Sequence, residues 1–405
     1  MKAYEAALDV SKAFREIEEA LVDESLQEGL RRASLNAQRK VMELLEKRPE
    51  LKDLARMVKE AKQYTIDHIE DVIEQALRSL ESVNANPYLA RTPEEARSII
   101  GGIVGSGKLV VMSKTMAGEE IGLREHLEAL GNEVWETDLG QLLVQLEDGR
   151  PMHTIAPAVH MTREKAISLI RERLGEDLPL DASVEEAVHR VRLFLREKFT
   201  KADVGISGAN ALAADTGSIV LVENEGNIRL VTGLPPVHIA IVPVDKLMPT
   251  LQDAIRLALV QAAYAGLYPP TYLNIISGPS STADIEIHRV YGAHGPRELH
   301  VILLDNGRIK ASKHPVLREQ LRCIRCGRCQ FECPVWVHTA NKWGGPVYGG
   351  PMGINWTAIT LDEEYAGGLA TLCLTCARCD EACPVEIPLS RLLRYLKKAY
   401  LSRSR

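Results

Sequence analysis

The sequence has 405 residues, enough for two or three domains, and its hydrophobic fraction of 45% is ordinary for a globular protein with a sizeable core. A net charge of −6 and an aromatic fraction of 5% argue against nucleic acid as a partner, because such a partner favours a basic surface and stacking side chains. Since the N-terminus has no apolar signal core and no apolar run approaches the ~20 residues of a membrane span, a cytoplasmic protein is predicted, and association with a membrane through a partner is left open.

Residues 1–85 are predicted to form an N-terminal helical arm. Apolar residues recur there at the spacing of one helix face, as in Val41, Leu44 and Leu45, with charged residues between them. Such a face needs a partner surface to cover it. We therefore expect a packed helical arm or cap.

Residues 86–312 alternate between short apolar strands and helices, which predicts an α/β domain with a largely parallel sheet covered on both faces. Two helices are predicted to begin at capping boxes, at Thr92 and at Ser183. Two more are predicted over Glu119–Leu130 and Lys246–Ala265. The predicted strands are Lys108–Met112, Glu133–Glu136, Ser218–Glu223, Val237–Pro243, Leu273–Ser277 and Leu299–Leu304.

The glycine-rich stretch Gly102–Lys108 imitates a phosphate-binding loop. It is followed by Leu109, where such a loop needs Ser or Thr to bind Mg²⁺. It also joins a predicted helix to a predicted strand, whereas a phosphate loop joins a strand to a helix. The sequence contains no G-x-G-x-x-G motif either, so neither a nucleotide site here nor a dinucleotide fold of the usual kind is predicted.

Polar, glycine-containing loops border several predicted strands of the α/β domain. Because ligands of α/β proteins bind beyond the carboxyl ends of parallel strands, these loops are the candidate ligand site. The hydroxyl groups of residues 277–282, if placed at a helix N-terminus, would suit a small anion. Hairpin and capping requirements explain the glycines equally well, so both interpretations stay open. The candidate ligand residues are Asp215, Glu225, Asn227, Arg229, Ser280 and Asp284.

All eight cysteines lie in two copies of one motif. The copies run from Cys323 to Pro334 and from Cys373 to Pro384, and each reads C-x2-C-x2-C-x3-C-P. Bacterial ferredoxins hold [4Fe–4S] clusters with this run. Three closely spaced thiolates can wrap one face of the cubane, and a more distant fourth closes the cage. The repeat therefore predicts two clusters and a protein that carries single electrons.

The predicted ligand sets cross between the two copies, because in two-cluster ferredoxins the fourth cysteine of each run binds the other cluster. Zinc is the alternative, since C-x2-C pairs also build zinc sites, but duplicated four-cysteine runs closed by proline fit a tetrahedral site poorly. The predicted sets are Cys323, Cys326, Cys329 and Cys383 for cluster 1, and Cys373, Cys376, Cys379 and Cys333 for cluster 2.

Residues 313–405 are predicted to form a helical, ferredoxin-like module with a basic tail. A glycine-rich stretch, Lys342–Gly353, separates the two cysteine runs. Arg325, Arg328 and Arg378 lie inside the runs, where cations would compensate the negative charge of a four-thiolate cluster or bind a partner. The basic tail is explained about as well by a solvated helix face.

Several rare strings occur in order and resemble the LUD domain. They are Glu136–Gly140, Pro157–His160, Ala202–Asn210, Asp215–Ser218, Asn224–Asn227, Leu234–Ile239, Ser277–Ser280, Thr282–Glu286 and Gly295–His300. Joined to two ferredoxin runs, the chain is similar over about residues 85–390 to the iron–sulfur subunit of L-lactate utilisation complexes, the LutB type.

The resemblance implies a fold like that of ribose-phosphate isomerases and CoA transferases. It implies two partners, a cysteine-rich iron–sulfur subunit and a smaller LUD-domain protein. The implied function is single-electron relay in a dehydrogenase complex for a 2-hydroxyacid such as L-lactate, with the chemical step in this chain or in a partner. An electron-transfer subunit of a heterodisulfide-reductase-like complex and a redox- or ligand-sensing docking subunit are the alternatives.

Overall fold

The computed structural model describes residues 8–403, apart from the Ser25 side chain, so residues 1–7 of the predicted arm lie outside it. The arm is helical, as predicted, and its helices bury apolar faces. Its first two helices cover the cysteine-containing part of the chain, the third touches both other parts, and the fourth covers the α/β domain. The helices are α1 (Val10–Val22), α2 (Glu24–Lys47), α3 (Glu50–Asp67) and α4 (Ile69–Ser82).

The strands that the structure describes lie in residues 86–304, and six of them form one parallel sheet. The strands are β1 (Asn86–Ala90), β2 (Leu109–Met112), β3 (Glu133–Glu136), β4 (Val204–Ser207), β5 (Ala211–Ala213), β6 (Ser218–Glu223), β7 (Val237–Pro243), β8 (Leu247–Met248), β9 (Tyr272–Ile276), β10 (Ser281–Thr282), β11 (Val290–Tyr291) and β12 (Glu298–Leu304). The parallel sheet has the order β1-β12-β7-β4-β2-β3. The predicted α/β class with a largely parallel sheet is confirmed.

Strand β7 carries four apolar residues in succession, Ile239 to Val242, because both of its faces are covered. Ile239 and Ile241 pack on one side of the sheet with three helices of residues 93–129, while Ala240 and Val242 pack on the other side with α4. Successive residues of a strand face opposite sides, so a strand covered on both faces needs apolar residues at every position. The remaining helices of this domain are α5 (Pro93–Val104), α6 (Met116–Glu120), α7 (Leu123–Ala129), α8 (Leu139–Leu146), α9 (Arg163–Leu174), α10 (Val184–Lys201), α11 (Asn227–Gly233) and α12 (Leu251–Tyr264).

A second, smaller sheet of order β8-β5-β6-β9 corrects one sequence prediction. The helix predicted over Lys246–Ala265 begins only at α12, where the Thr250 side chain caps it. Before it, the chain makes a 3₁₀ turn and then the short strand β8, in which Leu247 pairs with Leu212 of β5. Sheet pairing of an apolar dipeptide therefore outweighs the helical pattern that continues through α12.

Two further helix predictions differ from the structure. The helix predicted over Glu119–Leu130 is divided into α6 and α7 at Gly122, whose φ of 60° is the left-handed conformation that glycine adopts readily. Residues 277–282 do not cap a helix, because Ser281 and Thr282 form β10 and pair with β11. The helix N-terminus invoked for an anion site at this loop is therefore not present.

The C-terminal part is built from short helices and loops, and the structure describes no strand in residues 305–403. Three enclosed tryptophans, Trp336, Trp343 and Trp356, form much of its interior. A Cβ at Gly349 would collide with the Asn341 side chain, so part of the glycine-rich stretch is explained by close packing. The helices are α13 (Arg308–Ser312), α14 (Arg328–Phe331), α15 (Trp336–Thr339), α16 (Gly350–Thr360), α17 (Glu363–Ala370), α18 (Arg378–Glu381) and α19 (Leu389–Arg403).

Candidate iron–sulfur centres and the adjoining cavity

The first group of cysteines, which we call the first quartet, surrounds a small cavity. Its members are Cys323, Cys326, Cys329 and Cys383. The first three are nine-tenths buried or more. Most of the other lining side chains are apolar, and the Sγ of Cys323 lies 3.6 Å from the Sδ of Met352. The quartet is therefore a largely water-excluding pocket lined by sulfur.

The second quartet surrounds a similar cavity nearer to solvent. Its members are Cys373, Cys376, Cys379 and Cys333. Cys333 and Cys379 are buried, whereas Cys376 is exposed. The neighbouring Leu374 side chain is also exposed, at 64%. The two quartets thus differ in solvent access, although their sequence motifs are the same.

The two quartets are joined by two short helices. Cys329 lies in α14 and Cys333 follows it, so this helix supplies one cysteine to each quartet. Helix α18 makes the converse connection: Cys379 within it belongs to the second quartet, and Cys383 after it belongs to the first. Four residues of helix span roughly 6 Å, so the two cavities are close neighbours.

The loops that carry the cysteines repeat the same backbone geometry. Arg325 and Thr375 occupy equivalent positions, and both have positive φ, 57° and 54°. Each donates its backbone N–H to the sulfur two residues earlier, Cys323 or Cys373, at 3.4 Å. Non-glycine residues rarely adopt this conformation, which costs roughly 1–2 kcal/mol. The cost indicates that the loops are shaped to turn N–H groups towards sulfur, as iron-bound thiolates require.

The chemistry of the quartets fits clusters of iron. Burial raises the pKa of the Cys333 and Cys383 thiols to about 12, so each sulfur would stay protonated without a cation beside it. Iron would supply that charge. Within residues 8–403 no three His, Cys, Asp or Glu side chains are placed to hold one metal ion, and the sulfurs instead stand around a cavity.

A buried charge network fixes the first quartet to the α/β domain. Asp245 accepts hydrogen bonds from both terminal nitrogens of Arg325, at 2.5 and 3.1 Å, and from Arg308 Nε at 2.6 Å. Arg308 also forms two bonds to Glu120, at 2.7 and 2.8 Å. The Lys62 ammonium donates to the Asp245 carbonyl oxygen. Three cations thus face two carboxylates next to the cysteines, and the excess positive charge favours a negatively charged cluster.

The network also perturbs the ionisation of its own members. Burial alone would raise the pKa of Asp245, but Arg325 and Arg308 hold it well below its usual value. Burial lowers the pKa of Lys62 to about 8, with Asp245 opposing that change. The Arg325 guanidinium also lies 4.2 Å from the centre of the Trp356 ring, a cation–π contact. These contacts hold Arg325 in one position.

A cavity of about 360 Å³, the α/β cavity, lies at the carboxyl edge of the parallel sheet. Residues that follow β2, β4 and β7 line it, among them Lys114, Asn210 and Lys246. In the sheet, β3 lies on one side of β2 and β4 lies on the other side. The loops that follow neighbouring strands therefore run in opposite directions at this point. Such a point is where open α/β sheets bind ligands.

The α/β cavity and the first quartet share a wall. Arg325 lines both the α/β cavity and the cavity of the first quartet, and Tyr348 from the glycine-rich stretch lines the former. The Tyr348 hydroxyl is held by Glu120 at 3.0 Å. A molecule in the α/β cavity would therefore be separated from the first quartet by the Arg325 side chain.

The structure separates the ligand residues predicted from sequence. Glu225 and Asn227 line the α/β cavity, and Asn227 donates to the Thr137 hydroxyl at 3.2 Å. Arg229 and Ser280 line a different, open surface cleft. The remaining two, Asp215 and Asp284, are exposed and line neither space.

Arg229 is engaged with a neighbouring carboxylate. Its Nε lies 2.6 Å from the carboxylate of the buried Glu223, and its guanidinium lies 3.5 Å from the centre of the Tyr272 ring. This residue is therefore part of a local ion pair and a cation–π contact.

Sequence reasoning missed three polar residues of the cavity wall, Lys114, Lys246 and Gln261. Lys114 lies two residues after the end of β2, and Lys246 lies three residues after β7, in a 3₁₀ turn. The available signal was a lysine within three residues of the end of an apolar strand, since loops at that edge bind ligands. Gln261 lies within α12 and offered no such signal.

Comparison with known proteins agrees with this architecture. Residues 73–304 match the model of the LUD domain, and residues 319–387 match the model of the 4Fe-4S dicluster domain. The chain carries two [4Fe–4S] clusters on a ferredoxin-type module beside a parallel α/β domain, and this combination defines an iron–sulfur electron-transfer protein.

The names of similar proteins narrow the class of iron–sulfur protein further. "Lactate utilization protein B" of Bacillus pumilus (strain SAFR-032) is 35% identical over 82% of this chain and 69% of that protein, and its Bacillus subtilis (strain 168) namesake is 35% identical over 82% and 68%. "Uncharacterized electron transport protein YkgF" of Escherichia coli (strain K12) is 32% identical over 94% and 77%. The chain therefore belongs to the LUD-domain family of iron–sulfur proteins that includes Lactate utilization protein B.

One solved structure resembles part of this chain. A DUF162 family protein from Deinococcus radiodurans is 18% identical, with a TM-score of 0.30 over 58% of this chain and 97% of that one, a likeness too weak to support a conclusion. Within residues 8–403, no helix combines the length and the apolar character needed to cross a bilayer.

Proposed function

We propose that this chain is the electron-transfer subunit of a 2-hydroxyacid dehydrogenase complex and that the 2-hydroxyacid is L-lactate. The first quartet would hold cluster 1 and the second quartet cluster 2. The name of the Bacillus relatives supports the substrate. The family resemblance supports two partners, a cysteine-rich iron–sulfur subunit and a smaller LUD-domain protein.

One arrangement carries this proposal: the α/β cavity, the first quartet and the second quartet follow one another towards the surface. Arg325 separates the cavity from the first quartet, and α14 and α18 connect the first quartet to the second. A [4Fe–4S] cluster takes up and releases one electron at a time. The second quartet reaches solvent at Cys376, where an acceptor can approach.

The exposed end of the second quartet is the proposed docking site of the iron–sulfur partner subunit. Leu374 is 64% exposed, and Arg378 beside it is exposed as well. Exchanging Leu374 for Asp should weaken binding of the purified partner by roughly tenfold, since it removes an apolar anchor. The measurement is anaerobic calorimetric titration of the partner into each variant.

A matched control for this variant exists in the α/β domain. Leu180 is 60% exposed in the loop between α9 and α10. The Leu180→Asp variant should bind the partner as tightly as the unaltered protein. Equal losses in both variants, or no loss in either, would remove Leu374 from the interface.

The function itself is tested on the native complex, isolated anaerobically. Adding L-lactate should reduce the clusters, seen as bleaching of their visible absorption and as a paramagnetic signal, with pyruvate formed. Reduction by a thiol–disulfide couple without response to L-lactate would replace the proposal with a heterodisulfide-reductase-like role. Ligand binding or redox-dependent partner binding without steady electron flow would identify a sensor.

A further inference from the structure

Lys246 presents a cation to the α/β cavity without a bound partner. Its side chain is half-buried and lines the cavity. Among the described residues no acceptor hydrogen-bonds its ammonium, and no carboxylate lies within salt-bridge distance. Asp245, the carboxylate whose charge acts on Lys246, is already occupied by Arg308 and Arg325. The fold therefore leaves the amino group of Lys246 without a counter-ion in this wall.

The surroundings of Lys246 make an unpaired ammonium costly. Burial, followed by repulsion from Arg325, lowers the pKa of Lys246 to about 7. The groups acting on it include two further cations, Arg325 and Lys62, against the carboxylate of Asp245 and the sulfur of Cys323. An anion in the cavity would restore the usual preference of Lys246 for its charged form.

Gln261 adds a second unpaired donor to the same cavity. The residue is only 6% exposed and lines the cavity from α12. Its Oε1 accepts a hydrogen bond from Asn210 Nδ2 at 2.7 Å, which fixes the orientation of the amide. No described residue accepts a bond from its Nε2. A buried polar side chain normally has its groups paired, so an unpaired donor in a cavity wall indicates a ligand.

The other lysine of the cavity is engaged differently. Lys114 donates to the carbonyl oxygen of Ile155 at 2.7 Å, and the charges of Asp138 and Glu225 act on it. At this end of the cavity the lysine therefore has carboxylates near it. The unbalanced positive end is the one at Lys246, against the wall shared with the first quartet.

We propose that the α/β cavity is a binding site for a small carboxylate anion, whose carboxylate pairs with Lys246 and whose oxygen accepts a hydrogen bond from Gln261 Nε2. The volume of about 360 Å³ lies at the lower end of the range for small-molecule pockets. Only the choice of L-lactate as the probe rests on the proposed function. The site places the anion beside Arg325, next to the first quartet.

Lys246→Met is the decisive variant, because methionine keeps most of the length of the side chain and removes its charge. Calorimetric titration of L-lactate into the anaerobic, cluster-loaded protein should show affinity falling by roughly tenfold to a hundredfold, the usual effect of losing a charged hydrogen bond. Lys310→Met in α13 is the matched control, since Lys310 is exposed and lies outside the cavity. The affinity of the Lys310→Met variant for L-lactate should stay unchanged.

A second variant and a second ligand keep the test independent of folding. Gln261→Met should weaken L-lactate binding several-fold, with the visible spectrum of the clusters unaltered. Binding of inorganic phosphate but not of L-lactate would overturn the assignment to a carboxylate. Unchanged affinity for L-lactate in Lys246→Met would overturn the site.

The proposed function and the proposed site can fail separately. In one case, L-lactate binds and its binding depends on Lys246, but it does not reduce the clusters of the complex. That result would support the proposed binding site and refute the dehydrogenase function. In the converse case, L-lactate reduces the clusters, but both cavity variants bind L-lactate as tightly as the unaltered protein. That result would support the dehydrogenase function and refute the proposed binding site.

Discussion

Replacing Cys333 with alanine is expected to remove or degrade the solvent-exposed cluster and to leave the buried one intact. Cys333 follows α14 in the first motif, yet it lines the cavity of the second quartet. The iron content should fall from about eight to about four atoms per chain. The remaining cluster should resist an added iron chelator, because the first quartet is largely buried.

Cys383→Ala is the matched variant and should give the opposite result. Cys383 belongs to the second motif but lines the cavity of the first quartet. This variant should keep the cluster at the exposed Cys376, which a chelator should strip quickly. If each motif instead held its own cluster, the two variants would exchange behaviours, and the crossed ligand sets proposed for this chain would be wrong.

Asp245→Asn is expected to cause a large loss of stability. The carboxylate faces Arg308 and Arg325 and is fully buried with them. Removing its charge leaves both guanidinium groups without their shared counter-ion, and breaking a buried pair of this kind costs about 3–5 kcal/mol. Thermal unfolding at a fixed scan rate, under anaerobic conditions, measures the change.

An exposed ion pair provides the control for Asp245. Asp53 pairs with Arg56 on α3, and their side chains are 60% and 68% exposed. Asp53→Asn should therefore change the unfolding free energy by less than about 1 kcal/mol. A loss of that small size in Asp245→Asn as well would mean that the buried network contributes little to joining the two domains.

Asp245→Asn should also change the redox behaviour of cluster 1. The network already has more cations than carboxylates, and the substitution increases that excess beside Cys323. Additional positive charge stabilises the reduced, more negative cluster. A dye-mediated redox titration should show a higher potential for the buried cluster and an unaltered potential for the exposed one.

Strand positions were the part of the fold most accessible from sequence. The runs Ser218–Glu223 and Val237–Pro243 were predicted with the bounds that the structure shows, because each is mainly apolar, follows a glycine or a proline, and is too short for a helix. The helix predicted over Lys246–Ala265 was wrong at its start. The residues of β8 pair with β5, a contact more than thirty residues away that no local pattern reports.

The sequence by itself determined the cofactor class, because the identity and spacing of cluster ligands are properties of a short covalent segment. It could not indicate which polar residues meet in the α/β domain. Glu225 and Ser280 lie in equally polar loops but line different spaces. Only the tertiary structure decided that Lys246 and Gln261 line one cavity. It also decided that Arg325 donates a hydrogen bond to Asp245, 80 residues away in the sequence. Side chains so distant along the chain come together through the order of the sheet and the docking of whole helices, and no local pattern in the sequence encodes that.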